Sequence, residues 1–243
     1  MRSHHSLAIF KKSLRGYSET TMARIVLGVT GSVAAVRTPA LYRSLRDAGH
    51  IVRIVATSPS LFFFDPAELD SGDEPYGPLY RDADEWPGSL YHRGDPVLHI
   101  EFRKWADLFV VAPLDANTLA KFAIGLSDNF LTCVFRAWDF TKPVVLAPAM
   151  NTLMWQSPVT LRHLRQLIAD HGIVDLPKGW TLDDAPEVFA SAAPNLVLIP
   201  PQAKRLACGD VGIGAMAEVV TIAEVVRQWA EHDSTANDAD EIG

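Results

Sequence analysis

The sequence has few cysteines, no long apolar run and no excess of basic residues. Its two cysteines, Cys133 and Cys208, lie far apart in the chain. Two separated cysteines make neither a disulfide framework nor a zinc ligand set, so we predict no metal site and a reducing, cytoplasmic setting. No apolar run approaches the roughly 20 residues that a membrane-spanning helix needs. The net charge of −7 argues against a nucleic-acid binder. We therefore expect neither a membrane nor a nucleic-acid partner.

The length and composition predict one domain. The chain has 243 residues, of which 48% are hydrophobic, enough for a full α/β core. Residues 1–22 are polar and basic without a signal-peptide pattern, so we expect a disordered extension, or an upstream start with Met22 as the true first residue. The acidic residues 232–243 are also expected to be disordered. Residues 23–231 remain as the domain.

Short apolar runs alternate with helical patterns along this domain. Residues 66–95 interrupt the alternation, since they are rich in Asp, Glu, Gly and Pro and are predicted to be irregular. The alternation predicts a doubly wound parallel sheet, a Rossmann-like α/β fold. The predicted strands are 23–29, 51–56, 108–112, 144–146 and 196–199, and the predicted helices are about 30–48, 115–126, 127–138, 158–170 and 217–231.

Gly28 and Gly31 stand between the first predicted strand and its helix. Free N–H groups at such a junction favour a phosphate, although the same spacing also fits a tight turn that binds nothing. A dinucleotide site would place an acidic residue after the second strand, whereas this chain has Thr57, Ser58 and Ser60 there. Hydroxyl groups can donate further hydrogen bonds to a phosphate, which favours a mononucleotide such as FMN over NAD.

Asp115 follows the third predicted strand. It is either an ordinary helix cap or part of a ligand site. The small Ala116 and the amide of Asn117 have the size and chemistry to line the edge of a flavin ring.

Further candidates lie at His99, at Cys208 and in residues 147–155. A lone histidine is more often structural than catalytic, and Cys133 lies among apolar residues and is predicted to belong to the core. Cys208 is close to Arg205 in a Gly-rich stretch that can fold over a ligand as a lid. Residues 147–155 follow a predicted strand and present two Met, an Asn and a Trp, where a flat aromatic ligand and a polar substrate can meet.

Four motifs closely resemble the flavin-containing cysteine decarboxylase family. They are HIEFRKWAD from His99, DNFLTCVFRAWD from Asp128, APAMNTLMW from Ala147 and RLACGDVGIGAMAE from Arg205. The likeness runs from residue 23 to about residue 218 and is looser over residues 66–94. The branch that matches has a cysteine in its lid and acts in coenzyme A biosynthesis.

The resemblance implies FMN-dependent decarboxylation of 4′-phosphopantothenoylcysteine to 4′-phosphopantetheine. The flavin transiently oxidises the thiol-bearing carbon, CO2 leaves, and the product is reduced again, so that FMN ends as it began. The resemblance also implies a homotrimer, or an assembly of trimers, with the flavin at a subunit boundary.

The same resemblance assigns roles to individual residues. His99 would act as a base, Asn151 would bind the substrate carboxylate, and Cys208 would protonate the reduced intermediate. FMN would be held by Gly31, Ser32, Val33, Thr57, Ser60, Ala116, Asn117, Thr118 and Ala149, and we include Ser58 and Asp115, which lie among them. The substrate would contact Asn151, Met154, Arg205, Leu206, Ala207 and Met216.

Two features depart from the family pattern. Asp115 stands where related sequences commonly have Ser, which places a carboxylate near the flavin and is expected to lower its reduction potential. Residues 172–195 look like an insertion before the last predicted strand, one that would either reshape a subunit contact or cover the site.

Three alternatives remain open. A peptidyl-cysteine decarboxylase that stops at the oxidised enethiol would not need Cys208. A flavin prenyltransferase would share the fold but not the motifs around Asn151 and Cys208. A non-catalytic relative that binds a phosphatase would be expected to lack His99, Asn151 or Cys208, and all three are present.

Overall fold

The computed structural model describes residues 22–69, 77–88, 90, 92–172, 178–205 and 211–240, with side chains for all of these except 205, 211 and 232–240. Its centre is a parallel sheet with the strand order β3-β2-β1-β4-β5-β6, and a separate antiparallel hairpin pairs β7 with β8. The strands are β1 (Arg24–Val29), β2 (Ile51–Ala56), β3 (Leu79–Arg81), β4 (Leu108–Leu114), β5 (Val144–Pro148), β6 (Leu196–Leu198), β7 (Gln202–Arg205) and β8 (Val211–Ala215).

Helices cover both faces of the sheet. Short 3-10 helices follow β1 (Val33–Arg37) and β2 (Ser58–Phe62), and another spans Pro66–Glu68. None of the helices in the described part of the chain is both long and apolar enough to cross a membrane. The α-helices are α1 (Thr38–Asp47), α2 (Asp82–Glu85), α3 (Leu98–Trp105), α4 (Ala116–Ile124), α5 (Phe130–Ala137), α6 (Thr152–Trp155), α7 (Pro158–His171), α8 (Ala185–Ala192) and α9 (Val219–Asp240).

The continuous apolar runs of the central strands explain this architecture. In β1, Ile25 and Leu27 pack into a core that α1 and α9 complete, whereas Val26 faces the core formed with α3, α4, α5, α7 and α8. Successive strand residues point to opposite faces, so a strand that is apolar at every position requires a helical layer on each side. The predicted doubly wound α/β fold is confirmed.

Several element boundaries differ from the prediction. The predicted helix over 30–48 divides into a 3-10 helix and α1, because Pro39 stands in the first turn of α1 and favours a new helix start. Strand β4 extends to Leu114, since its pairing resumes between Leu114 and Pro148 after an irregularity. Helix α9 continues to Asp240, into the predicted disordered tail, because no Gly or Pro ends it earlier.

Several elements were missed altogether, namely the strands β3, β7 and β8 and the helices α2, α3, α6 and α8. Strand β3 and helix α2 lie in the stretch predicted to be irregular, and β3 is only three residues long, too short for a hydrophobic period to show. The hairpin of β7 and β8 was missed because its glycines weaken any strand pattern.

The described part of the predicted insertion belongs to the core. Trp180 and Phe189 are buried, and α8 packs against β6 and α7. The guanidinium of Arg165 donates a hydrogen bond of 2.6 Å to the Trp180 carbonyl. Helix α8 and Trp180 thus extend the core beside β6. Residues 173–177 lie outside the described residues.

Candidate active site

The predicted cofactor residues gather at one edge of the sheet, where parallel strands end. Residues 30–33 follow β1, residues 57–60 follow β2, and residues 115–118 follow β4. The chain runs from β1 to β2 on one side and later returns to β4 on the other, so the topological switch point lies between β1 and β4. Open α/β sheets bind ligands in this crevice. Ala149 is buried at the end of β5, where its N–H donates to the Leu114 carbonyl at 2.9 Å.

The hydroxyl group of Thr30 connects the two loops of the crevice. Thr30 is fully buried, and its Oγ1 donates to the Pro113 carbonyl at 2.8 Å and accepts the Asp115 N–H at 2.7 Å. One side chain thus fixes the loop after β1 to the loop after β4. Sequence analysis did not select Thr30, because a threonine after a strand carries no signal for a partner 83 residues away.

Gly31, in the loop after β1, and Gly28, within β1, have different roles. A Cβ at Gly31 would lie 2.7 Å from Pro59 Cβ and 3.4 Å from Asp115 Oδ2, so a residue without a side chain is needed where three loops meet. Gly28 lies inside β1, where a Cβ would lie 2.6 Å from Leu131 of α5. Gly31 therefore shapes the crevice, while Gly28 lets α5 pack on the sheet.

Two of the hydroxyl groups predicted to bind a phosphate already donate to backbone carbonyls of the chain. Thr57 Oγ1 donates to the Val29 carbonyl at 3.3 Å, and Ser60 Oγ donates to the Thr57 carbonyl at 2.7 Å. Ser32 is placed differently, since its Oγ accepts the Ala34 N–H at 3.4 Å and keeps its own proton for a ligand. Of these three hydroxyls, Ser32 is the one poised to donate.

Asp115 is the N-cap of α4. Its Oδ1 accepts the Thr118 N–H at 2.6 Å, so the helix-cap interpretation is confirmed. Ala116 and Asn117 form the first turn of α4, at the mouth of the crevice. The second oxygen, Oδ2, would lie 3.4 Å from a Cβ at Gly31, which brings the carboxylate to the point where the loops meet.

The motif after β5 divides between the site and the core. Asn151 Oδ1 accepts the Leu153 N–H at 2.8 Å and caps α6, and Met154 is 49% exposed. Met150 and Trp155 are buried in the core on the α4–α5 face of the sheet. The expectation that this motif presents both methionines and the tryptophan to a ligand is therefore corrected, because β5 and α6 turn Met150 and Trp155 inward.

The hairpin of β7 and β8 docks on this motif through glycines. The Met150 N–H donates to the Gly214 carbonyl at 2.9 Å. Gly214 has φ of +154°, and a Cβ there would lie 2.1 Å from the Met150 carbonyl oxygen. A Cβ at Gly212 would lie 2.4 Å from Thr152 Oγ1. The glycines of the predicted lid thus allow the hairpin to lie close to residues 150–152.

The predicted substrate residues of the lid are only partly described. Arg205 ends β7, and near the base of the hairpin Glu218 forms ion pairs with Lys204 and, at 3.2 Å, with Arg37. Met216 was predicted to contact the substrate, but it is buried in the core that α1 and α9 cover, because the chain turns onto that face directly after β8. Leu206, Ala207 and Cys208 lie outside the described residues.

His99 lies in the first turn of α3, bound to Glu85. Its Nδ1 is hydrogen-bonded to Glu85 Oε1, and its backbone N–H donates to Glu85 Oε2 at 3.1 Å. The Glu85 side chain is fully buried, whereas the imidazole is 20% exposed. With Nδ1 engaged, Nε2 is the ring nitrogen that remains to exchange a proton with a ligand.

Helix α2 carries two carboxylates that sequence analysis missed. Asp82 Oδ2 accepts the Ser58 hydroxyl at 3.3 Å, and Asp82 Oδ1 accepts the Phe130 N–H at the start of α5 at 3.0 Å. Helix α2 thus connects the loop after β2, helix α5 and, through Glu85, His99. The change from the apolar Leu79 to the acidic residues that begin at Asp82 was the sequence signal that could have revealed these carboxylates.

The strands that precede Glu85, the partner of His99, and Asn151 lie far apart in the sheet. Glu85, the partner of His99, follows β3, whereas Asn151 follows β5, and β2, β1 and β4 lie between those strands. Four strand spacings correspond to about 19 Å. Within one chain His99 contacts Glu85, and Asn151 follows a strand four spacings away from the strand that Glu85 follows.

The fold and the crevice define an open α/β protein of the kind that binds a phosphate-bearing cofactor at its switch point. The Flavoprotein family model matches residues 14–231. The chain belongs to the Flavoprotein family.

Individual relatives and solved structures show which members of the family this chain is similar to. Phosphopantothenoylcysteine decarboxylase of Mus musculus is 45% identical over 219 residues, covering 89% of this chain and 92% of the relative. A solved PPC decarboxylase mutant complexed with pantothenoylaminoethenethiol has a TM-score of 0.70 and 46% identity, covering 86% of this chain and 99% of that one. The FMN binding protein AtHal3 has a TM-score of 0.67 and 46% identity, with coverage of 86% and 97%. The family resemblance seen in the sequence is confirmed.

Replacing Thr30 with Val keeps the shape of the side chain but removes the hydroxyl that connects the crevice loops. Because the Asp115 N–H then loses its acceptor, we expect Thr30→Val to lower the free energy of unfolding by about 1–3 kcal/mol. Urea denaturation measures the change. Thr30→Ser retains the hydroxyl and is the matched control, and an unchanged stability of Thr30→Val would show that the hydrogen bonds of the hydroxyl do not stabilise the fold.

Proposed function

We propose that the chain is an FMN-dependent, cytoplasmic decarboxylase that converts 4′-phosphopantothenoylcysteine to 4′-phosphopantetheine in coenzyme A biosynthesis. The observation that carries the proposal is the combination of a flavoprotein crevice closed around Gly31 with extended similarity to phosphopantothenoylcysteine decarboxylases.

The crevice residues fit a phosphate-bearing flavin. Gly31 allows close backbone approach, and the Ser32 hydroxyl has a proton to donate. The hydroxyls of residues 57–60 can rotate from their present acceptors toward a phosphate. Val33 is 49% exposed beside this loop and offers an apolar contact for a ring. FMN held there supplies a reversible hydride acceptor for the thiol-bearing carbon of the substrate.

The remaining chemistry belongs to side chains. His99 accepts a proton at Nε2 from the cysteine portion of the substrate, since Nδ1 is already engaged. The Leu153 N–H fixes Asn151 Oδ1, which orients the amide NH2 group as a donor to the substrate carboxylate. Cys208 supplies the proton when the product is reduced.

We further propose a homotrimer, or an assembly of trimers, with the site between subunits. In this proposal His99 and Asn151 both act on the cysteine portion of the substrate, whereas Glu85, which holds His99, and Asn151 follow strands about four spacings apart in a single chain. Apolar side chains beside the crevice support a subunit contact, because Val33, Val36 and Leu153 are 49%, 59% and 77% exposed.

The central test is an absorption spectrum of the purified protein followed by turnover of 4′-phosphopantothenoylcysteine. We expect a flavin spectrum and a product that has lost CO2 without net oxidation, identified by mass spectrometry. A bound flavin with an enethiol product, or with no turnover, would favour a peptide-modifying or a non-catalytic role. A colourless protein would refute the cofactor proposal.

Cys208→Ser separates the two halves of the reaction. We expect this variant to release CO2 and accumulate the enethiol, because the proton donor for re-reduction is lost. Cys133→Ser is the matched control: Cys133 lies in α5 and should leave full turnover intact. Full turnover by Cys208→Ser would remove Cys208 from the mechanism.

The shared site predicts complementation between inactive subunits. His99→Asn and Asn151→Asp should each be inactive alone. Co-expressed, they should regain activity, because random assembly gives about a quarter of all shared sites an intact His99 and an intact Asn151 from another subunit. No regain in verified mixed trimers would place both residues in one subunit's site.

A further inference from the structure

Glu85 is a buried carboxylate for which the proposed reaction has no direct use. Its side chain is fully buried, and both of its oxygens contact His99, Oε1 at the imidazole and Oε2 at the backbone N–H. Burying a carboxylate away from water costs free energy unless the carboxylate is paired and hydrogen-bonded. The pairing with His99 meets that requirement.

We propose that Glu85 is a positioning residue for His99, which holds the neutral imidazole in the tautomer with its proton on Nδ1 and so keeps Nε2 bare as the base. The inference rests on the proposed function, in which Nε2 accepts a proton from the substrate. An ionised carboxylate is an acceptor only, so the ring nitrogen that faces it must carry the hydrogen. The second bond, from the His99 backbone N–H, fixes the carboxylate relative to α3.

The groups around Glu85 leave His99 as its partner. Asp82, on the same helix, accepts hydrogen bonds from Ser58 and Phe130. Cys133 approaches from α5, where burial raises the pKa of its thiol and the nearby charge of Glu85 raises it further. A thiol kept protonated in this way is a poor counter-ion for Glu85, so His99 is the partner with which the Glu85 carboxylate is paired.

Glu85→Gln tests the role while keeping the shape of the side chain. The amide oxygen can still accept the His99 N–H, but the amide nitrogen donates to Nδ1 and forces the ring proton onto Nε2. We expect kcat to fall roughly 100-fold or more, within the range of lost acid–base catalysis, with KM and flavin content little changed. Glu85→Asp retains an acceptor and should recover part of kcat.

Glu101→Gln is the matched control. Glu101 lies on the same helix as His99 but is exposed and paired with Lys104 at 3.4 Å. Its kcat should equal that of the unchanged chain. A similar fall in kcat for Glu101→Gln would mean that any change of charge on α3 disturbs the site, and would overturn the specific role of Glu85.

A second readout does not depend on turnover. In two-bond 15N–1H correlation spectra of 15N-histidine-labelled protein, the His99 signals are assigned by their absence from His99→Asn. We expect a protonated Nδ1 and a bare Nε2 in the unchanged chain, and the reverse in Glu85→Gln. A proton on Nε2 in the unchanged chain, or an unchanged kcat in Glu85→Gln, would overturn the inference. The expected tautomers without any turnover of 4′-phosphopantothenoylcysteine would support the positioning role and refute the proposed function instead.

Discussion

Burial of both faces of the parallel sheet is the constraint on which the rest of the structure depends. The central strands are apolar at successive positions, so their side chains are committed to two cores and their backbone groups to neighbouring strands. Polar chemistry is then confined to the places where the strands end. Thr30 and Gly31 show how tightly these ends are joined, one through a shared hydroxyl and the other through the absence of a side chain.

Buried charge is the second constraint, and it explains the placement of α2. Four residues cannot form a stable helix by themselves, since nucleating a helix costs more than one turn returns. The carboxylates of Asp82 and Glu85 each accept two hydrogen bonds from other segments, which anchors the helix at both of its ends. The same bonds place His99, so the short helix and the candidate base are held by one set of contacts.

The sequence predicted those features whose signal is local. The buried strands appear as apolar runs, Asp115 appears as a cap ahead of its helix, and Gly31 marks a tight approach after a strand. Glu85 could not be assigned to His99, because their contact spans 14 residues across a segment without periodicity. Trp155 and Met216 were predicted to face a ligand, but both are buried in the core. An apolar residue inside a functional motif looks the same in sequence whether it packs inward or outward, and tertiary packing alone distinguishes the two.

The crevice and the candidate reactive groups therefore differ in how firmly the rest of the structure holds them. The crevice is part of the sheet and shares its cooperative stability, whereas the reactive groups sit on short segments with few anchors. Asn151 caps α6 through one hydrogen bond, and the hairpin of β7 and β8 accepts the Met150 N–H at the Gly214 carbonyl. A single hydrogen bond contributes about 1 kcal/mol, so these segments can change in sequence or position while the sheet persists. Under the proposed function, a flavin crevice can thus be retained while the proposed acid, base and lid determine which thiol-bearing carboxylate is decarboxylated and whether the product is reduced again.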